Sequence, residues 1–192
     1  MLDIGCVIGQ LFVAQGKRPG DGLRVGLDID HEPLAYGARH FDSIGFLRGR
    51  AEALPFADAS FDRVVSRVSL PYSHLPSALA EIRRVLRPGG RLWMSLHPPA
   101  QTWLELGNAL RQRHPKDVIF RIFILLNGCL LHATGRILPF VNGRYESFQT
   151  AGGMRRLLAA REWCDIEARR GRHFVVSARK PGDGRGASLK AP

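Results

Sequence analysis

The apolar pattern predicts an α/β fold: a mostly parallel sheet with crossover helices, closed by an antiparallel hairpin. Three observations carry this. Short apolar runs alternate with amphipathic stretches over residues 1–96, as expected of strands linked by helices. One of those stretches, residues 75–86, is a continuous helical stripe. Two late strand-like runs flank Gly171, a link too short for a crossover and suited to a hairpin.

The composition agrees. A chain of 192 residues, 45% hydrophobic and 23% charged, suits one domain with a sizeable core and excludes a disordered chain. Its 21 Gly and 12 Pro show no three-residue period, which excludes a collagen-like repeat. Cys6, Cys129 and Cys164 are too few and too scattered for a disulfide framework or a zinc site, and the seven His form no metal cluster. The opening MLDIGCVIGQ has no basic leader region, so a soluble protein of the reducing cytoplasm is expected.

The first strand, ending at Asp3, is only two or three residues long. Gly22–Asp28 reads as a buried strand with an acidic stop, and Glu32–His40 as a helix with Pro33 in its first turn. Ile44–Leu47 and the β-branched Phe61–Val68 are further strands. In the helix Pro76–Leu86, Leu75, Ala78, Leu79, Ile82, Val85 and Leu86 form one apolar face. Glu81, Arg83, Arg84 and Arg87 lie opposite, and Pro88-Gly89-Gly90 ends it. Arg91–Leu96 is a buried strand. Residues 100–150 break the rhythm around the apolar run Val118–Leu131, which at fourteen residues is too short and too polar to span a bilayer. Met154–Arg161 is a helix, and Cys164–Arg169 with Arg172–Lys180 form the hairpin. The tail from Pro181 has no apolar anchor and is expected to be disordered, which makes residues 1–180 a single domain.

Chemistry concentrates at the front. Leu2-Asp3-Ile4-Gly5-Cys6-Val7-Ile8-Gly9 is a strand ending in closely spaced glycines, which lets a nucleotide-like ligand approach the backbone. Asp28 follows Gly9 by 19 residues, at the end of the next strand, where an acid can accept hydrogen bonds from a ribose diol. The spacing is not G-x-G-x-x-G, so a dinucleotide fits poorly.

Four stretches, LDIGCVIG, VGLDID, AEALPFADASFD and ALAEIRRVLRPGGRL, occur in this order over residues 2–96. In them the chain resembles the class I S-adenosylmethionine-dependent methyltransferases of the small-molecule type. The resemblance implies a Rossmann-like, doubly wound, three-layer αβα fold with S-adenosylmethionine as cofactor. It implies that Gly5, Cys6 and Gly9 present backbone to the methionine end, with Asp3 near the ammonium group. Asp28 would bind the ribose hydroxyls, Ile29 pack on the adenine, Ala51 and Glu52 read the adenine edge, and Ser66 close the pocket. Two positions depart from the family: Val7 replaces the middle glycine of the loop, and Arg50 stands where an acid is common. Only Met1 and Leu2 precede Asp3, so the N-terminal lid of the family is absent and a truncated or misassigned start is expected.

Methyl transfer is an in-line displacement helped by positioning and, for an oxygen or nitrogen acceptor, by a base. Candidate catalytic residues follow the fourth and fifth strands: Tyr72, His74 and His97, with Tyr145 and Glu146 further on. The apolar interlude, as a substrate cap, points to a small, lipophilic acceptor. The net charge of +11 is lopsided: 12 Lys/Arg against 10 Asp/Glu in residues 1–96, but 16 against 7 in residues 97–192. That field admits nucleic acid as an alternative partner. Against it, the Arg are dispersed without interleaved aromatics, and Ser69-Leu70-Pro71-Tyr72 lacks the Asn or Asp used on exocyclic amines. A non-catalytic binding protein on the same fold is the other alternative.

Overall fold

The computed structural model describes residues 1–16, 22–170 and 173–182. The strands are β1 (Leu2–Ile4), β2 (Val25–Asp28), β3 (Gly45–Arg48), β4 (Phe61–Arg67), β5 (Leu86–Leu96), β6 (Cys164–Arg170) and β7 (Phe174–Arg179). They form one sheet in the order β3-β2-β1-β4-β5-β7-β6. The first five run parallel, whereas β7 is antiparallel to β5 and β6. The helices are α1 (Gln10–Gln15), α2 (His31–His40), α3 (Leu75–Val85), α4 (Pro99–Arg111), α5 (Pro115–Thr134) and α6 (Ala151–Ala159). The sheet is thus the doubly wound one expected, with the closing hairpin in place.

β1 lies between β2 and β4 although it is only three residues long, pairing all three with each neighbour. Leu2 and Ile4 point into the core with Val64, Leu92 and Met94, while Asp3 takes the other face. The α3 stripe is buried as expected: Leu75, Ala78, Leu79, Ile82 and Val85 have no exposed surface. Leu86 is buried too but begins β5, which therefore starts five residues earlier than expected. The Pro88-Gly89-Gly90 segment lies inside that strand, with Gly89 at φ +78° and a register shift against β4, as a bulge requires.

Two helices lie where none is expected, α1 and α4. The apolar interlude is one helix of 20 residues, longer than the run that suggested it. By length and composition alone α5 is long and apolar enough to cross a membrane, because the helix extends beyond the fourteen-residue apolar run on both sides. Its place in the fold is fixed by one face. Ile124, Asn127, Gly128 and Leu131 are buried, and Phe148 fills the groove at Gly128, where a Cβ would stand 2.3 Å from its ring. Asn127 bonds the carbonyls of Leu138 and Glu146 and the Leu138 amide. The expected disorder of the tail falls outside the described residues from 183 on.

Candidate functional site

The chain leaves β1 toward β2 on one side and resumes at β4 on the other. This reversal opens a crevice at the carboxyl ends of the strands, where open α/β sheets bind ligands. The loops after β1, β2, β3, β4 and β5 converge there.

In the loop after β1, Gly5 is required twice. Its φ is +76°, and a Cβ would stand 2.3 Å from Cβ of Ser69. Ser69 reaches across from the loop after β4, donating from its hydroxyl to the Ile4 carbonyl at 2.8 Å. The amides of Gly5 and Cys6 both donate to the Leu27 carbonyl, and that of Gly9 to the Cys6 carbonyl. What these three residues offer a ligand is close approach to backbone rather than free N–H groups. Cys6 is buried, its thiol pushed up to about 12 chiefly by burial. Val7 sits at φ +54° with its side chain exposed. A β-branched residue is strained there. Val68, at the end of β4, repeats the strain at φ +61°.

Asp28 closes β2. Its carboxylate accepts the Val7 amide at 2.9 Å and the Asp30 amide at 3.2 Å, which fixes it beside the loop. Ile29, next in the chain, is 65% exposed, an apolar side chain held at the rim. Asp3 is fully buried, and neither of its carboxylate oxygens has a hydrogen-bond partner among the described residues. Burial raises its pKa to about 6, against the opposing pull of Arg67 at 3.9 Å.

The segment after β3 brings Ala51 into the core and leaves Glu52 half-buried. Glu52 accepts the His74 amide at 2.8 Å, so this carboxylate ties two loops together. His74 is the N-cap of α3: its Nδ1 lies 2.7 Å from the Ser77 hydroxyl and accepts the Ser77 amide. Its ring stacks edge-on to Tyr145 at 5.1 Å. Ser66 is buried, its hydroxyl 2.6 Å from that of Ser69.

Tyr72 and His97 meet. The Tyr72 hydroxyl lies 3.5 Å from His97 Nε2, and the rings form a T-shaped contact at 5.1 Å. Gln149 fixes the His97 backbone from both sides, its Oε1 accepting the amide and its own amide donating to the carbonyl. Burial lowers the His97 pKa, and burial aided by the Glu146 charge raises that of Tyr72. Both are therefore neutral near pH 7. Glu146 is buried between Arg121 at 3.7 Å and Arg144 at 3.4 Å, and Arg121 also pairs with Glu105 at 2.9 Å. Arg144 lies over the Phe120 ring at 4.8 Å, and Phe120, Phe123 and Phe140 form a cluster.

Sequence reasoning missed the pin that holds the segment after β3. Arg84 uses all five of its N–H groups: two on Glu81, one each on the carbonyls of Leu54 and Phe56, and one on Asp58. Glu81 accepts the Leu54 amide as well. In the AEALPFADASFD stretch, Leu54 is buried and Phe56 meets Phe61 edge-on at 5.0 Å. The signal was present in Glu81 and Arg84, three residues apart on the polar face of α3. A cleft of about 690 Å³ lies elsewhere, on the sheet face carrying Arg63, Arg67, Arg91, Trp93 and Arg179.

The residues fit S-adenosylmethionine on this geometry. A buried carboxylate with no hydrogen-bond partner among the described residues suits an ammonium group, a rim carboxylate beside an exposed isoleucine suits a nucleoside, and the Gly5 backbone allows close approach. A family described as methyltransferase domain matches residues 2–94. The malonyl-[acyl-carrier protein] O-methyltransferase of Erwinia pyrifoliae is 36% identical over 116 residues, 57% of this chain and 44% of that protein. The ubiquinone/menaquinone biosynthesis C-methyltransferase UbiE of Paracoccus denitrificans is 43% identical over 115 residues, 54% of this chain and 46% of that one. The chain thus spans under half the length of these relatives. In fold it resembles an S-adenosylmethionine-dependent methyltransferase from Mesorhizobium loti, with a TM-score of 0.61 at 17% identity over 93% of this chain and 89% of that one. Motif order, sheet topology and these matches agree: residues 2–94 match the methyltransferase domain family, on a fold shared with S-adenosylmethionine-dependent methyltransferases.

Proposed function

We propose that the protein transfers the methyl group of S-adenosylmethionine to a small, lipophilic acceptor. The observation that carries this reading is the pairing of Tyr72 with His97 after β4 and β5, linked to the aromatic cluster of Phe120, Phe123 and Phe140 through Arg121 and Arg144, whose charges act on Tyr72 and which lie over the Phe120 ring. The cofactor supplies an electrophilic sulfonium methyl. Asp3 holds its ammonium group, Asp28 its ribose hydroxyls, and Ile29, Ala51 and Glu52 flank its adenine. Ser66 anchors the wall through Ser69. Neutral His97 accepts the acceptor's proton at Nε2, and the Tyr72 hydroxyl orients the acceptor oxygen or nitrogen. The apolar rings exclude water from the displacement. That one relative's name refers to ubiquinone/menaquinone biosynthesis agrees with a lipophilic acceptor.

Calorimetric titration with S-adenosylmethionine and S-adenosylhomocysteine tests the cofactor half. Micromolar binding that disappears in Asp28→Ala supports it; no binding at millimolar ligand overturns it for this chain. Methylation of a lipid-soluble hydroxyl or amine compound, lost in a folded Phe120→Ser/Phe123→Ser variant, supports the acceptor half. Loss of activity toward polar acceptors alone overturns it.

The strained Val7 favours the second reading, a binding protein on this fold. If Val7→Gly creates cofactor affinity that the parent chain lacks, the parent is such a protein. Retention on heparin would instead revive a nucleic-acid acceptor.

A further inference from the structure

One apolar surface lies outside the site. On α5, Pro115, Ile119, Ile122, Leu126, Cys129 and Ala133 recur at i, i+4, i+7, i+11, i+14 and i+18, and all six are exposed. That spacing places them on one stripe, and no charged residue interrupts it. The helix is 20 residues long, about 30 Å at 1.5 Å per residue. Only 22% of its most apolar window is buried. Its packing partner α4 adds exposed Trp103 and Leu110. An apolar surface of this extent marks a contact with another phase or another molecule.

Charge indicates which. Arg111, Arg113 and Lys116 are exposed at the turn between α4 and α5, where the stripe begins and where Asp117 is the one exposed acid of α5, and Arg136 is exposed beyond its other end. An uncharged apolar face with cations at both ends matches the boundary of an anionic bilayer, with acyl chains against the stripe and phosphates against the arginines. A second copy of a chain carrying +11 would bring like charges together. Spanning the bilayer would strip Asn127 from its partners at Leu138 and Glu146.

We infer that the outer face of α5 docks the protein on anionic lipid bilayers, the helix lying in the plane of the interface. Docking needs neither cofactor nor methyl transfer, so it stands or falls apart from the proposed reaction.

Flotation of the full chain with vesicles of phosphatidylcholine containing one-third phosphatidylglycerol tests this. Cys129 lies on the stripe and is exposed, whereas Cys6 is buried. An environment-sensitive dye on Cys129, in a Cys164→Ser background, therefore reports whether the stripe enters lipid. The expected result is co-flotation with a blue shift of the dye, and a bound fraction reduced more than about tenfold in Ile122→Glu/Leu126→Glu. Both positions are exposed, and thermal melting checks that the variant is folded. If it is not, Arg111→Glu/Arg113→Glu/Lys116→Glu serves in its place with the same expected loss. Failure to float overturns the proposal. So does flotation without a blue shift, which would be adsorption by net charge alone, and so does a dimer that Ile122→Glu/Leu126→Glu dissociates.

Discussion

Asp3 Oδ2 and Arg67 Nη2 stop 3.9 Å apart, and neither the Asp3 oxygens nor Arg67 Nε has a hydrogen-bond partner among the described residues. Evolved interiors rarely leave a carboxylate in this condition. The cost is tolerable if a cationic ligand group completes the pair, which is how an ammonium would be recognised.

The sign of the Asp3 shift makes this testable. Its pKa is raised from 3.8 to about 6 by burial, so the folded chain prefers the protonated acid. That preference stabilises the fold at low pH and is lost as pH rises from 3.8 to about 6. At one pKa unit per 1.36 kcal/mol, the ionised residue costs roughly 3 kcal/mol above that window. Asp3→Asn is therefore expected to raise the melting temperature of the free chain at neutral pH while weakening S-adenosylhomocysteine binding at least about tenfold. In the parent, affinity rises with pH through about 6; in the variant that rise disappears. Thermal melting and calorimetry over pH 5–8 read both. Destabilisation with unchanged affinity would make Asp3 a structural residue.

Arg84 predicts the opposite pattern. Its removal leaves the Leu54 and Phe56 carbonyls and the Glu81 carboxylate without their donor. Arg84→Leu is expected to cost about 2–4 kcal/mol in urea unfolding. Arg84→Lys should recover little, because one ammonium cannot reproduce five forked bonds. Hydrogen bonds from Arg84 hold Glu81 below the usual carboxylate range, so its contribution is present above its unfolded pKa and lost as pH falls through the lower folded one. Arg84→Leu should remove that acid-side loss.

The alternation of strands and helices and the α3 stripe were legible because apolar periodicity reports burial directly. The resemblance to methyltransferases was legible through motifs that fall on β1, β2, the segment after β3 and α3 with β5. Less visible was what depends on contact at long range. Ser69, 64 residues from Gly5, sets the need for glycine there, and the Glu81–Arg84 pin looked like an ordinary solvated face. Helix α1 is six residues long with a glycine N-cap and no side-chain cap, so it had no start signal. Helix α4 opens at Pro99 with no side-chain cap either, and its tryptophan and leucines leave no clean polar face. That a ring nitrogen of His74 caps α3 was not legible, because a histidine in a loop carries no mark of it.

Gly5 and Val7 should respond in opposite ways. Gly5→Ala places a methyl 2.3 Å from Cβ of Ser69 at φ +76°, and a loss of at least about 2 kcal/mol is expected. Ser69→Gly removes the opposing Cβ, so the double variant should lose less than the sum of the two single changes. Val7→Gly relieves a β-branched residue at φ +54° whose side chain is exposed. It should stabilise the chain by up to about 1 kcal/mol, the strain relieved exceeding the added chain entropy. Chemical denaturation of the four variants decides this, and destabilisation by Val7→Gly would mean that the valine packs usefully.

His97 can be altered without moving the chain, because Gln149 holds its backbone at the amide and the carbonyl. His97→Gln should lower the turnover of methyl transfer about a hundredfold or more, while S-adenosylhomocysteine affinity, which the proposed function assigns to Asp3 and Asp28, changes less than about twofold. Burial lowers the His97 pKa below 6.5, so the neutral, proton-accepting form persists to lower pH than in a free imidazole. The rate should thus stay level from pH 8 down past 6.5 and fall only below it, and Tyr72→Phe should bring a milder loss with the same profile. Transfer of radiolabelled methyl across that range measures all three. An unchanged turnover in His97→Gln would move the proton acceptor elsewhere, to the acceptor molecule itself or to Glu146. The raised pKa of Glu146, caused chiefly by its burial, then predicts a rate that falls with acid over a range set by that carboxylate.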